Sequence, residues 1–162
     1  MPLSKILRPS LDTGVPNVGF AVKKNSDFQS LSSGVLTKVT FDTELFDTNN
    51  NFASSRFTPT IAGQYFFYAD LHHYATSSNV CSIRNTVLYK NGSAHTWNLV
   101  QENSQFGNTI KVNCSAIIEM NGTSDYVEVY ARGTFSSGSY QIADDTNNGF
   151  NNGNTFVGFR LG

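Results

Sequence analysis

The sequence predicts an all-β fold, a sandwich, jelly roll or barrel of short strands. Three observations carry that reading. The stretch Phe57-Thr58-Pro59-Thr60-Ile61-Ala62-Gly63-Gln64-Tyr65-Phe66-Phe67 leads from a Pro- and Gly-bearing loop into alternating aromatic residues. About ten strand-like runs follow one another, and no longer segment shows helical periodicity. Gly, Asn, Ser and Thr are abundant, while charged residues are only 14% and aromatic residues 13% of the chain. That composition suits strands joined by tight turns and argues against helical bundles.

Residues 1–17 read as an arm, with Leu3, Ile6, Leu7 and Leu11 scattered between Pro2, Pro9, Gly14 and Pro16. Such an arm either stays disordered or orders as an anchor against a partner. Residues 18–162 read as one domain. Strands are expected at 18–23, 36–41, 52–57, 63–74, 81–90, 93–102, 109–119, 126–132, 138–142 and 155–161. In the 63–74 run, Tyr65, Phe67 and Ala69 share one face, and Gln64, Phe66, Tyr68 and Asp70 the other. Aromatics on both faces predict a central strand covered on each side. Asn91-Gly92 is a strong hairpin signal, and Asn121-Gly122 serves a similar turn before Asp125. Ile110, Val112, Cys114, Ala116, Ile118 and Met120 all fall at even positions, which predicts one core-facing side. The Asn- and Gly-rich run 144–154 reads as a solvated loop.

At 162 residues the chain fits a single domain, large enough to bury roughly 70% of its unfolded surface. Thirteen Phe and seven Tyr supply ample burial and argue against disorder. The formal net charge is -1, and no basic run exceeds Lys23-Lys24. Nucleic-acid binding therefore has no electrostatic footprint. No apolar run approaches the ~18 residues of a membrane span. Residues 1–14 contain only short apolar pieces and lack the apolar core of a secretory signal, so export by that route is not expected. Cys81 and Cys114 are too few for a disulfide scaffold and lack metal-ligand spacing. Cys114 reads as a small core residue, and the sequence leaves its pairing with Cys81 open.

The chain resembles the globular head of the complement C1q and tumour necrosis factor superfamily over about residues 18–161. Phe41, Asp47, Phe52, Phe57, Gly63, Tyr65 and Phe67 fill the places of the family signature. Leu88-Tyr89-Lys90-Asn91-Gly92 is similar to the family's strand ending in a Lys-Asn-Gly turn. The segment from Met120 to Val127 is similar to its turn into a hydrophobic strand, and Thr155-Phe156-Val157-Gly158-Phe159-Arg160-Leu161 to its closing strand. The Phe52-to-Phe57 spacing is shorter than the family norm, and Ala69 stands where a further aromatic is usual, which marks a distant member. The resemblance implies a ten-stranded jelly roll that assembles as a homotrimer through apolar strand faces. Phe66 and Tyr68 are compatible with this, since a closed symmetric oligomer is one way to cover them. Core or interface roles are expected for Phe20, Phe57, Tyr65, Phe66, Phe67, Tyr68, Val127, Val129, Phe156 and Phe159.

Catalytic constellations are not apparent. The chain carries no Gly-x-Ser-x-Gly elbow, phosphate loop or His-Glu-x-x-His motif. His72 and His73 are adjacent in a strand and point to opposite faces, and His95 lies in another strand. Asp42 and Glu44 share a strand face, but nothing in the sequence defines a cleft between them. No enzyme is expected. Calcium is the best cofactor candidate. Asp144-Asp145-Thr146-Asn147-Asn148-Gly149 resembles the first half of a calcium loop, with Asp144, Thr146 and Asn148 as oxygen donors. Thr155 in place of the twelfth-position Glu excludes the helix-loop-helix site. Some relatives hold calcium in the loop that here is 98–109, where this chain has Glu102 but no Asp.

The combined expectation is a non-enzymatic bacteriophage virion protein. Residues 2–17 would anchor a homotrimeric head to a capsid or tail protein, for decoration or host-surface binding. A short arm leading into the head, without a collagen stalk, resembles the free-standing and fibre-tip versions in phage and bacterial proteins. The alternative is a secreted or surface signalling or lectin-like adhesion module. Ligand recognition is expected in loops 76–79, 103–108, 134–139 and 144–154, near Phe106, Tyr140, Asp144, Asp145, Asn148 and Phe150. Their amide and hydroxyl groups beside aromatics suit a host glycan or protein.

Overall fold

The computed structural model describes residues 17–25, 28–75, 81–101, 109–136, 138–143 and 154–161, and among them regular structure is strand alone. Thirteen strands follow in order: β1 (Gly19–Lys24), β2 (Gln29–Leu31), β3 (Thr37–Lys38), β4 (Thr43–Asp47), β5 (Phe52–Ala53), β6 (Arg56–Phe57), β7 (Gly63–Ala75), β8 (Cys81–Lys90), β9 (Ser93–Gln101), β10 (Thr109–Met120), β11 (Val127–Phe135), β12 (Tyr140–Ile142) and β13 (Asn154–Leu161). They form two layers. One is a seven-stranded sheet in the order β2-β12-β7-β13-β1-β4, with β10 also paired to β7. The other is a six-stranded sheet in the order β5-β6-β11-β8-β9, with β3 also paired to β11. The strand pairs are antiparallel. Neighbours distant in sequence, such as β1 beside β13 and β7 beside β13, give the jelly-roll crossover pattern.

β7 is central, as its paired aromatics predict. β10 lies along one edge of it; β13 and then β12 share the other. Its core face carries Tyr65, Phe67, Ala69, Leu71, His73 and Ala75, all buried. Among the described residues of one chain, coverage is seen on the core face. Phe66 and Tyr68 on the opposite face are only half-buried, because among the described residues no second layer lies over them.

Phe20 of β1 holds the layers together. Its ring stacks on Phe57 at 4.3 Å and on Phe52 at 5.2 Å, both from the six-stranded sheet, and meets Phe156 edge-on at 4.8 Å. Gly158 makes this stack fit. It pairs with Phe20 on one side and Phe67 on the other. A Cβ on it would sit 2.7 Å from Phe20 Cε1 and 2.7 Å from Phe67 Cδ1. The two rings therefore lean over the space a side chain would fill.

Three differences from the expected strands have physical causes. Residues 52–57 do not form one strand. β5 and β6 are a hairpin turned by Ser54 and Ser55, whose φ values are 51° and 56°. That left-handed backbone costs roughly 1 kcal/mol per residue. Ser55 is secured by accepting a hydrogen bond from Phe41 N at 2.9 Å. A Ser-Ser pair carries none of the signal of Asn91-Gly92, which adopts positive φ at both residues between β8 and β9, as a two-residue hairpin loop requires. Second, β2 and β4 were not expected. Both lie at the ends of the seven-stranded sheet. With three and five residues, β2 and β4 are too short to show alternation, and a bulge against β1 disturbs the register of β4. Third, only Thr37–Lys38 of the expected 36–41 strand is paired as strand.

One polar chain runs through the core. His73, Tyr140 and Thr86 are buried. Thr86 Oγ1 donates to Val112 O at 2.7 Å, which leaves its oxygen to accept from His73 Nε2 at 3.1 Å. His73 Nδ1 then accepts from the Tyr140 hydroxyl at 2.5 Å. Every member is satisfied while the imidazole is neutral. Burial, with Arg84 and His72 adding to it, lowers the His73 pKa to about 3. Cys81 and Cys114 are free and buried, so they do not pair, and burial raises both thiol pKa values.

Gly158→Ala is expected to destabilise the fold by about 1–3 kcal/mol, as overpacking does, measured by denaturant unfolding. Acid should also destabilise it through His73. The unfolded chain takes up a proton near the ordinary pH of 6.5 that the folded chain refuses down to about 3. This contribution is therefore full above the higher value and is lost as pH falls toward the lower one, by up to about 1.4 kcal/mol per pH unit. His73→Gln should lower stability at neutral pH and flatten that part of the acid slope.

Candidate functional site

The outer face of the seven-stranded sheet, away from the core, is apolar at its centre. Directly opposed residues of antiparallel strands share a face, so the register defines two rows. The first runs Ile117, Phe66, Phe159 and Gly19 across β10, β7, β13 and β1. The second runs Ser115, Tyr68, Val157, Ala21 and Phe46, ending on β4. Ile117 is 59%, Phe46 52% and Phe159 46% exposed. The Phe66 and Phe159 rings pack at 5.4 Å, which stiffens the middle of the patch. Polar groups rim it. Lys111 pairs with Asp70 at 3.1 Å, and Gln64 faces Glu119 at the opposite end. Burial, then the Asp70 charge, raises the Tyr68 pKa, so its hydroxyl stays a neutral donor on this face.

The nominated residues divide between this face and the interior. Phe20, Phe57, Tyr65, Phe67, Val127, Val129 and Phe156 lie in the core. Phe66, Tyr68 and Phe159 lie on the outer face. Ile117 and Phe46 belong with them but were not nominated. Ile117 did carry a signal, since it is the isoleucine out of step with the even-numbered core positions of β10.

The outer face of the six-stranded sheet differs in character. Glu128 is buried there and receives Lys38 Nζ at 2.7 Å and Arg56 Nε at 2.9 Å. Burial opposes its charge, and these contacts outweigh the burial, so its pKa is lowered. The Arg56 guanidinium also lies 3.8 Å from the Tyr126 ring centre. Toward β9 the face opens into a hollow of about 260 Å³ bordered by Leu36, Asn85, Val87, Ala94, Trp97, Leu99 and Arg132. The sequence reading overlooked it. A lone Trp in a strand signals burial as readily as exposure, and only the edge position of β9 decides.

Other candidates separate. Tyr140 does not serve a ligand loop; it is buried, stacked on Phe135 at 5.6 Å and bonded to His73. Asp42 and Glu44 are both exposed and border a shallow hollow of about 220 Å³. Asp42 Oδ1 is engaged by Asn25 N at 2.9 Å and Thr43 Oγ1 at 2.9 Å. Among the described residues no three His, Cys, Asp or Glu side chains group to hold a metal. Leu3, Ile6, Leu7 and Leu11 of the arm lie outside the described residues, as do Phe106, Asp144, Asp145, Thr146, Asn148 and Phe150.

No family model matches the sequence, and no curated protein matches it. Solved structures do match its fold. The globular domain of zebrafish complement 1qA aligns with a TM-score of 0.61 at 15% identity, over 90% of this chain and 98% of that one. The tumour necrosis factor Eiger from S. frugiperda aligns with a TM-score of 0.63 at 9% identity, over 91% and 94%. Murine APRIL aligns with a TM-score of 0.62 at 10% identity, over 90% and 100%. The chain has the jelly-roll fold of the C1q and tumour necrosis factor globular domains.

Proposed function

We propose that this chain is a non-enzymatic binding head that assembles as a homotrimer through the outer face of its seven-stranded sheet. The observation that carries the reading is the apolar centre of that face: Ile117, Phe46 and Phe159 exposed around Phe66 and Tyr68. A contiguous patch of large side chains with a polar rim has the anatomy of a subunit interface. Copies of the same chain suit it because a closed symmetric ring covers the same patch on each member. The three-fold arrangement is what the resemblance to the C1q and tumour necrosis factor heads implies.

The finer reading is a bacteriophage virion protein. Residues 2–17 would anchor the head to a capsid or tail protein through Leu3, Ile6, Leu7 and Leu11. The apolar residues of the arm support this, since a segment too short to bury them by itself can do so by ordering on a partner. The head would then decorate the particle or meet the host surface. An adhesion module with the same head is the second reading, and the Trp97 hollow favours it.

Native mass measurement at micromolar concentration is expected to give a species near three times 17.8 kDa. Ile117→Asp should shift that species to a folded monomer, because an exposed side chain costs the monomer little while a carboxylate buried at the interface costs at least about 2 kcal/mol per copy. A wild-type protein that stays monomeric overturns the assembly. Deleting residues 2–17 should leave the trimer intact and exclude the chain from assembled particles, read by mass spectrometry of purified virions. Particles that still carry the truncated chain would overturn the anchoring role.

A further inference from the structure

The hollow on the six-stranded sheet combines two features that call for a ligand of defined chemistry. The first is apolar. Trp97 is 62% and Leu99 39% exposed, with Leu36, Val87 and Ala94 beside them. A flat indole at the surface offers its face to a ring bearing C–H groups. The second is charge. Arg132 borders the hollow, and its Nε and Nη2 both donate to Asn85 Oδ1, at 3.2 and 3.1 Å. Asn85 itself is only 3% exposed. A buried carboxamide fixes the orientation of a guanidinium without cancelling its charge. The contrast with the same sheet is direct, because Lys38 and Arg56 share the Glu128 carboxylate there. Among the described residues the ion pairs lie elsewhere, and no carboxylate borders the hollow.

We infer that this hollow binds a single carboxylated sugar ring of the uronate type. Arg132 meets the carboxylate, Trp97 covers the apolar face of the ring, and Asn85 positions the guanidinium. Size supports one ring: about 260 Å³ falls below the ~300–1,000 Å³ of pockets that enclose drug-sized ligands. One cation matches one carboxylate in charge. The hollow is built by one chain alone and lies on the layer opposite the proposed subunit interface.

The chain has a single Trp, so its fluorescence reports on this hollow alone. Titration of the full chain with glucuronate or galacturonate is expected to give a saturable change in Trp97 emission that weakens as salt is raised. Galactose, which lacks the carboxylate, should bind at least about tenfold more weakly. Arg132→Gln should remove the uronate response by a similar factor. Trp97→Ala, at an exposed position, should abolish binding in calorimetry while the melting temperature is kept, and this variant decides the matter if Arg132→Gln misfolds. The inference is overturned by the absence of a saturable uronate response, by an equal response to galactose, by unchanged binding in a folded Arg132→Gln or Trp97→Ala variant, or by binding of benzoate without binding of either uronate. A monomeric mass would count against the trimer and leave this result standing.

Discussion

The stack of Phe20 on Phe57 and Phe52 is the contact on which the rest of the molecule depends. It is where the seven-stranded sheet grips the six-stranded one. Rings of this size bury large apolar areas and keep preferred separations, so a few of them set the spacing between the layers. The stack needs Gly158 beneath it, since the rings of Phe20 and Phe67 occupy the volume of a missing side chain. The glycine and the aromatics are thus one packing unit spread over β1, β7 and β13. Displacing it would move both layers, and with them the two outer faces.

Those outer faces are chemically unlike. One presents hydrocarbon at its centre and charge at its margin. The other presents a buried carboxylate clamped by two cations, and beyond it a tryptophan beside a guanidinium held by a neutral carboxamide. A sandwich has two such surfaces by construction, because strand alternation sends every second side chain away from the core. Dividing the proposed self-association and the proposed ligand recognition between them would place each on its own surface. Self-association would bury the apolar rows.

The interior supports this division by staying closed. The chain from Tyr140 through His73 and Thr86 to Val112 satisfies each polar group in one protonation state. Such a relay resembles acid-base machinery in composition, but it is sealed from solvent and holds a neutral imidazole. Its effect is to specify how β7, β8, β10 and β12 register against each other, with a stability cost in acid. Both cysteines likewise serve as small buried side chains.

Much of the fold was legible in the residue order. Alternation through Tyr65, Phe67 and Ala69 marked β7 and its core face, Asn91-Gly92 marked the β8–β9 turn, and the even positions of β10 marked Val112, Cys114 and Ile118 as interior. Local geometry suffices for these, because a pleat and a tight turn are properties of consecutive residues. The Ser54-Ser55 turn escaped notice, since its left-handed backbone is supported by Phe41 from another segment. The candidate sites were less legible for the same reason. Phe66, Tyr68 and Phe159 were marked as core or interface, but their union with Ile117 and Phe46 arises from β10, β7, β13, β1 and β4 lying side by side. The meeting of Trp97, Asn85 and Arg132 likewise requires β9, β8 and β11 in one register. The sequence by itself determined that the chain is a β body with aromatic strands and tight turns, because alternation and turn chemistry act between near neighbours. Only the tertiary structure decided which aromatics are buried and which are offered outward, because that depends on what the second layer covers.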